Sequence, residues 1–514
     1  MQSFTIPLGQ WLPDQTDYKN PGTVVAKNVY PSSGGFTRFE APVGTGDETT
    51  EEVAGAALFI KADNTPLVVG GSSTQLFTRT SGTVTETTGY TALGIDHVWR
   101  FERYNDFIIG VTPNNVPQYL TDLDTDTSWS ALGGSPPKAA VVGRVSDFVV
   151  MGDLTDIDAS TQPYRVRWSA LNNPNGNWVT DRGELSDFRD LDPKYGRITG
   201  ITGGRFGIVF QERAIWRMTF IGSPKVFDFE EVSVDRGCAA PDSVVTIGFN
   251  TYFLSQDGFY VTNGSAIDPI SSQRVSEWFI NEVKQAEYDR AQGAISWTKQ
   301  AIMWTFIPSD AAKFTRQIIY SWAEDKWSYA DEPVDFLVGT KVDATTIGDL
   351  ATLFPGGIVD VGVIGNSDFE AKNFTLGAFI IKTNTDPYVL TDYVVDDYVT
   401  SLPGGSEFAT FTGSAREATL ETGDFQAFPG SNSHVSGILP IVENVTGNTR
   451  TQVLSRSKQG AAQSASTATT EGADGFCPHK VDARYIAARM TVPSGAAWDN
   501  ASAVMIQARK SGNK

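Results

Sequence analysis

One hydrophobic hairpin recurs along the chain, and this repeat limits the folds open to the chain more than any other feature. Each copy has a hydrophobic strand, a short polar turn and a second hydrophobic strand. The seven turns are centred on Asp63, Asn105, Ser146, Gly203, Asn250, Lys299 and Asp343, at intervals of 42, 41, 57, 47, 49 and 44 residues. Such intervals match the roughly 40–50 residues of a four-stranded propeller blade. The repeat therefore predicts a β-propeller of about six to seven blades.

The rest of the sequence agrees with an all-β fold. The 514 residues include 49 Gly and 25 Pro and are 11% aromatic, a composition typical of short strands joined by tight turns. Further hairpins are predicted at residues 318–331 and 252–270, the latter around Asp257-Gly258, because Asp-Gly is a strong turn signal. The segment 276–289 carries the one plausible amphipathic helical pattern.

Changes in pattern along the chain divide it into four parts. Residues 1–50 hold few strand-like runs and are assigned to an N-terminal platform segment. A polar, linker-like stretch at 44–52 marks the boundary of this segment. The propeller is placed at 51–354, and 355–416 is interpreted as an inserted acidic loop or tip subdomain. Alternating strands return in 417–514, which we expect to form a β-sandwich-like platform domain together with the N-terminal segment.

The charge is strongly acidic and uneven. The chain has 40 Lys+Arg and 60 Asp+Glu, a formal charge of −20, whereas residues 440–514 alone have nine basic and five acidic residues. An acidic body does not bind nucleic acid well, since binding requires cations that neutralise phosphates. Two interpretations remain open: the charge serves solubility, or it forms a surface that repels DNA, as a DNA conduit requires.

The two cysteines, Cys238 and Cys477, lie far apart and outside any metal-binding spacing. We expect both to be buried free thiols, compatible with assembly in a reducing cytoplasm. The N-terminus lacks the pattern of a signal peptide, and no stretch approaches 18 continuous apolar residues.

Catalytic and metal-binding motifs are missing from the sequence. His97, His434 and His479 have no second His or Cys at ligand spacing beyond the weak pair of Cys477 and His479. Neither a GxSxG elbow nor a P-loop is present. We therefore expect no enzymatic activity, no cofactor and no metal ion.

The best metal candidate is the segment 122–133, in which three Asp residues alternate as in a calcium loop. Thr127 stands where that loop needs Gly, and Gly133 where it needs a bidentate Glu, so an Asp/Thr-rich turn is the favoured interpretation.

The main alternative function is a propeller glycosidase or glycan-binding protein acting on host polysaccharide. The nearest match to a glycosidase Asp-box turn, at 255–260, departs from that motif. Trp168, Trp178, Trp216, Trp297 and Trp304 lie in strand-like runs and are assigned to blade cores rather than to a sugar platform.

Three segments resemble one known family. Residues 12–31 contain a Pro-Asp, an Asn-Pro-Gly and an Ala-x-Asn-Val-x-Pro pattern, and residues 236–271 end in a Gly-Phe-Tyr hairpin and its following turn. Residues 475–512 contain a Cys-Pro, an Arg-Tyr-x-x-x-Arg and a Pro-x-Gly-x-x-Trp pattern. All three resemble tail nozzle, or tail tube B-like, proteins of short-tailed phages (podoviruses).

The resemblance implies a structural virion protein at the distal end of a tail. In that family six copies form a ring below the tail adaptor protein and enclose the channel through which double-stranded DNA passes, without specific binding, into the host cell. A platform built from the chain ends carries the propeller, and tail fibres or spikes attach nearby. The expected location is the virion tail, assembled in the host bacterial cytoplasm and meeting the cell envelope during infection. Arg484, Arg489 and Trp498 of the closing segment are the candidate inter-subunit contacts.

The basic C-terminal residues allow two interpretations. They could complement acidic neighbours within a ring, or they could form scattered surface pairs that contribute little. These residues are Arg450, Arg456, Lys458, Lys480, Arg484, Arg489, Arg509, Lys510 and Lys514.

Overall fold

The computed structural model describes residues 1–63, 65–80, 82–94, 97–123, 125–204, 206–341, 374–381 and 405–512. These residues form seven four-stranded antiparallel blades and a two-sheet platform. The all-β propeller prediction is confirmed, with seven blades in the ring. Each of the seven predicted hairpins supplies the inner strand of one blade, although the turn around Asp343 lies outside the described residues.

Each blade is a simple meander from the centre of the ring outwards. Blade 1 contains Ala56–Ile60, Pro66–Gly71, Gln75–Thr80 and Thr83–Thr88. Blade 2 contains Arg100–Tyr104, Phe107–Thr112, Asn115–Leu120 and Ser130–Ala131. Blade 3 contains Lys138–Val145, Phe148–Thr155, Thr161–Trp168 and Asp187–Asp190. Blade 4 contains Ile198–Thr202, Gly207–Gln211, Ile215–Gly222 and Val226–Ser233. Blade 5 contains Val245–Ile247, Asn250–Ser255, Gly258–Thr262 and Ile267–Pro269. Blade 6 contains Gln292–Ser296, Ala301–Phe306, Arg316–Ser321 and Lys326–Asp331.

Blade 7 combines strands from both ends of the propeller sequence. Its inner three strands are Phe336–Lys341, Phe374–Ile381 and Ser406–Ala415, and its outer strand is the N-terminal Glu40–Glu48. Gly405 permits this closure, because a Cβ atom there would lie 1.4 Å from the carbonyl oxygen of Thr49. The inner strand of blade 7 also packs against that of blade 1, so the ring is closed.

All inner strands run in the same direction along the central tunnel. The residues at or just before the start of each inner strand line one shared cavity, from Val53 in blade 1 to Asp335 in blade 7. We call this end of the tunnel the start face and the opposite end the end face. Because the strands of a meander alternate in direction, the turns after the first and third strands of every blade lie on the end face.

The platform consists of two packed sheets beside blade 6. One sheet contains Gln2–Pro7, Val29–Ser32, Gly35–Arg38, Ser433–Val442, Cys477–Ala483 and Ala501–Lys510. The other contains Thr23–Lys27, Ala418–Thr422, Arg450–Arg456, Ser464–Ala465, Thr469–Thr470 and Tyr485–Val492, and it continues without a break into blade 6. The junction is a parallel pairing of Lys27 with Tyr329 in the outer strand of that blade.

One apolar core joins the platform to blades 5 and 6. The fully buried Trp304 lies in this core, where its indole N–H donates to the Ser243 carbonyl at 2.8 Å and its ring lies 4.6 Å from that of Phe259. Since apolar burial supplies most of the folding free energy, we expect blades 5 and 6 and the platform to unfold together.

The domain boundaries differ from the expected ones in two places. Residues 40–48 were expected in the N-terminal platform but form the outer strand of blade 7. Residues 374–381 and 406–415 were expected in an insertion but form the second and third strands of that blade. The remainder of the expected tip, residues 355–373 and 382–404, lies outside the described residues. In blade 7 the first and second strands are 32 residues apart in the sequence and the second and third are 24 apart, so these strands do not follow one another as the hairpin pattern predicts.

Helical structure is short and lies mainly between blades. The helix Ser276–Glu282 is followed by the 3-10 segment Gln285–Arg290, and two further 3-10 turns occur at Pro193–Tyr195 and Pro241–Ser243. The expected helix at 276–289 is therefore confirmed in its first half only. No helix in the described ranges is long and apolar enough to cross a membrane.

Candidate functional site

The first and last of the three segments that resemble nozzle proteins come together in the platform. The strands Thr23–Lys27 and Tyr485–Val492 both pair with Ala418–Thr422, and the ring centres of Tyr18 and Tyr485 lie 5.4 Å apart. The middle segment, 236–271, contributes blade 5, which adjoins the helix that the N-terminal segment contacts. The platform is therefore the first candidate site, because it is where residues nearly 500 positions apart meet.

Asp14, from the Pro-Asp pattern, fixes the N-terminal segment to the propeller. Its carboxylate accepts hydrogen bonds from the backbone N–H groups of Glu277 (2.9 Å) and Trp278 (2.8 Å) in the first turn of the helix. Val275, directly before the helix, provides no side-chain cap, so Asp14 takes that role from 263 residues away. Burial nevertheless raises the pKa of this carboxyl group above its usual value.

Replacing Asp14 by alanine should lower the free energy of unfolding by about 1–2 kcal/mol, since two helix N–H groups lose their acceptor. Asp14→Asn is the matched control, because an amide oxygen can still accept one of the bonds, and it should cost less than half as much. Urea unfolding followed by fluorescence measures both changes. Equal losses in the two variants would contradict the capping role.

Asn28, from the Ala-x-Asn-Val-x-Pro pattern, joins three parts of the chain. Its φ of +56° places it in the left-handed region, which asparagine tolerates better than most residues. Its amide donates to the Glu417 carbonyl and accepts from the Asp331 N–H, both at 2.9 Å. This residue therefore links the N-terminal segment, blade 6 and the C-terminal domain.

The three candidate inter-subunit contacts lie in the platform but differ in accessibility. Trp498 is only 1% exposed and belongs to the shared core, so its ring is not available to a second subunit. Arg489 is half-buried and forms an ion pair with Glu421. Arg484 lies 5.9 Å from the centre of the Tyr485 ring, and its Nε atom is buried without a hydrogen-bond partner among the described residues. The expectation for Trp498 is corrected: a tryptophan near the chain end fills the core.

Part of the basic C-terminal charge is neutralised within the chain. Arg450 pairs with Glu417 at 2.9 Å, and Arg456 pairs with both Asp17 and Asp424. The exposed cations of this region are Lys458, Lys480, Arg509 and Lys510. Lys514 lies outside the described residues.

The second candidate site is the cavity of about 560 Å³ at the start face of the propeller. One bidentate ion pair stands at its wall: the Arg100 guanidinium contacts Asp242 at 2.8 and 2.9 Å and also donates to the Ala140 carbonyl at 2.7 Å. Arg197 lies 3.7 Å from Asp153 and 3.9 Å from Asp289. Arg290, on the 3-10 segment before blade 6, forms a 2.9 Å pair with Glu287.

Two other polar residues line this cavity from adjacent blades. Gln292 begins the inner strand of blade 6, and Asp335 directly precedes that of blade 7; each is 6% exposed. Gln292 Oε1 and Asp335 Oδ1 have no hydrogen-bond partner among the described residues. Asp335 Oδ2 accepts from the Ser406 hydroxyl at 2.7 Å. Burial raises the pKa of Asp335 to about 6.

This raised pKa predicts a pH-dependent stability difference between the protein and Asp335→Asn. Because the folded-state pKa exceeds the ordinary value of 3.8, the unfolded state loses this proton first, so the native chain loses stability as the pH rises from about 4 to 6 and regains none above 6. The variant should gain about 2–3 kcal/mol relative to the native chain at high pH, and this gain should shrink as the pH falls through 6 towards 4. Chemical unfolding across this range measures the difference. A constant difference would contradict a buried, ionised Asp335.

The cavity residues were not predicted from the sequence, although a weak signal exists. Arg100 and Gln292 are the first residues of inner strands, and Arg197 and Asp335 immediately precede them. Polar residues at those equivalent positions of a propeller repeat point into one shared space. The turn signals on which the hairpin prediction rests do not reveal this register.

Both cysteines and four of the five tryptophans assigned to blade cores are buried. Cys238 and Cys477 are buried free thiols, as expected, and Trp168, Trp178, Trp216 and Trp304 are buried in or beside blades. Trp297 is 45% exposed at an end-face turn, so its assignment to a blade core is wrong.

The residues considered as metal ligands in the sequence lie in two separate places. In the 122–133 turn, Asp126 accepts from Thr121 and Ser128, hydrogen bonds that lower its pKa, while Asp124 lies outside the described residues. His479 is buried beside the hydroxyls of Thr451 and Thr469, and burial lowers its pKa. Within the parts of the chain that the structure covers, no group of three His, Cys, Asp or Glu side chains could hold a metal ion.

Several large apolar side chains are exposed on the end face. Phe249, in the turn after the inner strand of blade 5, is 91% exposed, and Ile221 occupies the outer hairpin of blade 4. Trp297 and Trp322 of blade 6 contact each other with ring centres 5.8 Å apart. These apolar side chains therefore lie on neighbouring turns of one face, from blade 4 to blade 6.

Fold and geometry thus define the chain as a seven-bladed β-propeller fused to a β-sandwich platform. No family model matches the sequence, and no curated protein matches it significantly. Solved propeller structures match it at low identity. A chain of the mitotic checkpoint complex has 10% identity and a TM-score of 0.36, with 60% of this chain and 90% of that chain covered. YCF48 bound to a D1 peptide has 9% identity and a TM-score of 0.32, with 57% and 84% covered. Virginiamycin B lyase from Staphylococcus aureus has 12% identity and a TM-score of 0.30, with 55% and 90% covered.

Proposed function

We propose that this protein is a structural virion protein that forms the distal tail nozzle of a short-tailed phage. Six copies would form a ring around the channel through which the genomic DNA leaves the tail. The platform would attach the ring to the tail adaptor protein and support fibres or spikes. The protein would act by assembly and would catalyse no reaction.

The observation that carries this proposal is the common location of the first and last family-like patterns. Asn28, Arg489 and Trp498 hold the platform together through hydrogen bonds, ion pairing and core packing, and Asp14 fixes the N-terminal segment to the helix beside blade 5. Patterns of this kind belong to a platform that every subunit of a ring must reproduce. They supply no reactive group.

Surface charge and apolar turns give further support. A body with a formal charge of −20 repels DNA, which favours passage over sticking, because each Lys–phosphate contact would have to be broken during ejection. The exposed Phe249 and Trp297 on the end face suit a protein whose surface is covered in an assembly. The exposed Lys458, Lys480, Arg509 and Lys510 could pair with acidic neighbours in the ring.

Imaging of the purified full chain by negative-stain electron microscopy, alone and on assembled tails, tests the proposal. We expect ring-shaped particles of six copies with a central opening at the tail tip. A protein that stays monomeric, is absent from tails and cleaves or binds capsule polysaccharide would instead support the alternative, a propeller glycosidase or lectin.

A further inference from the structure

One sheet of the platform ends in an uncharged strand with a free edge. Gln2–Pro7 pairs with the closing strand Ala501–Lys510 on one side, and among the described residues no strand pairs with its other side. Its sequence, QSFTIP, holds no charged side chain, and its register along the closing strand has no bulge. An edge of this kind presents a row of unpaired N–H and C=O groups to any other extended chain.

The opposite edge of the same sheet is protected. That edge is Cys477–Ala483, where Pro478 has no N–H to donate and where Lys480 and Asp482 place exposed charges. Proline and charged side chains are the means by which many proteins prevent pairing at a sheet edge. The contrast indicates that strand pairing is prevented at Cys477–Ala483 and is left open at Gln2–Pro7.

The ladder to the closing strand shows which backbone groups face the free edge. The Leu8 N–H donates to the Ser502 carbonyl at 2.8 Å, in the same register as the rest of the strand. Because hydrogen-bonded and non-bonded pairs alternate in an antiparallel ladder, every second residue before Leu8 also directs its backbone groups to the closing strand. The residues between them, Ser3, Thr5 and Pro7, direct theirs to the free edge, and all three are exposed.

Apolar side chains at this edge are only partly covered. Phe4 and Ile6 pack against the platform core but remain half-buried. The Phe4 ring lies 6.1 Å from that of Phe425 and 5.8 Å from that of Phe428, and both of these side chains are also half-buried. A strand added at the free edge would therefore cover apolar surface on one face while it pairs with the exposed backbone groups.

The outward backbone groups of this strand are complementary to those of a second copy. When two copies lie antiparallel with Phe4 opposite Phe4, Ser3 of each copy faces Thr5 of the other, and their N–H and C=O groups form four hydrogen bonds. The two Phe4 side chains then meet at a non-bonded pair, where Cα atoms are about 4.5 Å apart and aromatic contacts stabilise a sheet. Pro7 has no N–H, so the ladder ends there.

We propose that two copies of the free protein associate through Gln2–Pro7. The contact joins their platform sheets into one sheet of eight strands, four from each copy. It has twofold symmetry, whereas the copies within a ring are related by rotation about a single axis. The contact is therefore separate from the contacts within a ring, and it would pair free subunits or whole rings before they join a tail. The inference does not depend on the proposed tail function, since it rests on the edge of one sheet.

Oxidative cross-linking of cysteine variants tests the register. We expect Phe4→Cys to give a covalent dimer, because its two thiols stand directly opposite each other within the Cα separation of about 4.4–6.8 Å that a disulfide needs. Gln2→Cys is the matched control: it is more exposed, but its two copies would lie four residues apart along the joined strands, about 13 Å. The unsubstituted chain, with Cys238 and Cys477 buried, gives the background. Equal cross-linking of both variants, or none in Phe4→Cys, would overturn the proposal.

Sedimentation velocity over a range of concentrations measures the association itself. Thr5→Lys should weaken the pairing at least tenfold, because it brings two like charges together at the edge. Thr5→Pro should do the same, because it removes an outward N–H that the single subunit does not use. Thr85→Lys is the control, since it adds the same charge to an exposed residue in the outer strand of blade 1 and should leave the association unchanged.

The outcomes separate this proposal from the proposed tail function. A native chain found only as monomers or as single rings of six would overturn the pairing, as would unchanged association in both Thr5 variants or an equal loss in Thr85→Lys. Rings seen by electron microscopy should persist in Thr5→Lys, because the ring contacts lie elsewhere. Failure of the pairing therefore leaves the nozzle proposal untouched, and absence of rings leaves the pairing untouched.

Discussion

Replacing Trp498 with alanine should lower the free energy of unfolding by about 3–5 kcal/mol. The side chain is almost wholly buried in the core that joins the platform to blades 5 and 6, and its removal leaves a large cavity there. Guanidinium chloride unfolding, followed by tryptophan fluorescence and circular dichroism, measures the change. Because this core is shared, we expect blade 6 and the platform to lose stability in one transition.

Trp498→Phe is the informative control. It keeps most of the apolar volume and removes an indole N–H that is buried without a partner in the part of the chain that the structure describes, so it should cost less than half as much as alanine. The pair of variants also separates a core role from the expected inter-subunit role. An alanine variant with native stability but impaired oligomerisation would refute the core assignment.

Replacing Arg79 with alanine should also destabilise the protein by about 3–5 kcal/mol, through the closure of the ring. Arg79 in blade 1 contacts Asp47 of the N-terminal strand at 2.6 and 2.9 Å, and its guanidinium lies 3.8 Å from the centre of the Phe408 ring in blade 7. Both partners of the ion pair are largely buried, and removal of one leaves an uncompensated charge. The same unfolding measurement applies.

Two comparisons test this closure. Arg217→Ala removes an arginine from an exposed pair with Glu230 and should cost less than about 1 kcal/mol. The double variant Arg79→Met/Asp47→Asn removes the buried charges together and should recover part of the lost stability. An Arg79→Ala loss no larger than that of Arg217→Ala would show that the buried pair does not hold the ring closed.

The repeated hairpin predicts the propeller well because an inner hairpin is the most buried part of each blade. Ile108, Val150 and Phe253, for example, lie in second strands that are buried on both faces, and they stand out as apolar runs. Outer strands carry a weaker signal, since one face meets solvent. Glu40–Glu48 is mostly exposed or half-buried and contains three acidic side chains, a pattern that indicates a linker more than a strand.

The candidate sites depend on long-range contacts that one sequence does not encode in any local pattern. Asp14 looks like an ordinary turn residue until the helix at 276–282 is placed beside it. Trp297 follows a strand-like run, but it lies one residue beyond the strand end, where the chain turns into solvent. Asp335 and Gln292 share a cavity only because blades 6 and 7 are adjacent in a closed ring.

The pairing of the first strands with the last ones has a consequence for how the protein is made. Gln2–Pro7 cannot pair until Ala501–Lys510 has been synthesised, and Glu40–Glu48 cannot pair until Ser406–Ala415 has been synthesised. At about 5–20 residues per second on the ribosome, that delay is on the order of 20–100 s. During translation the leading segment stays accessible to chaperones and proteases, and a prematurely terminated product never acquires the partners that would shelter it. Loss of the strand Ala501–Lys510 would therefore also leave Gln2–Pro7 without the strand it pairs with.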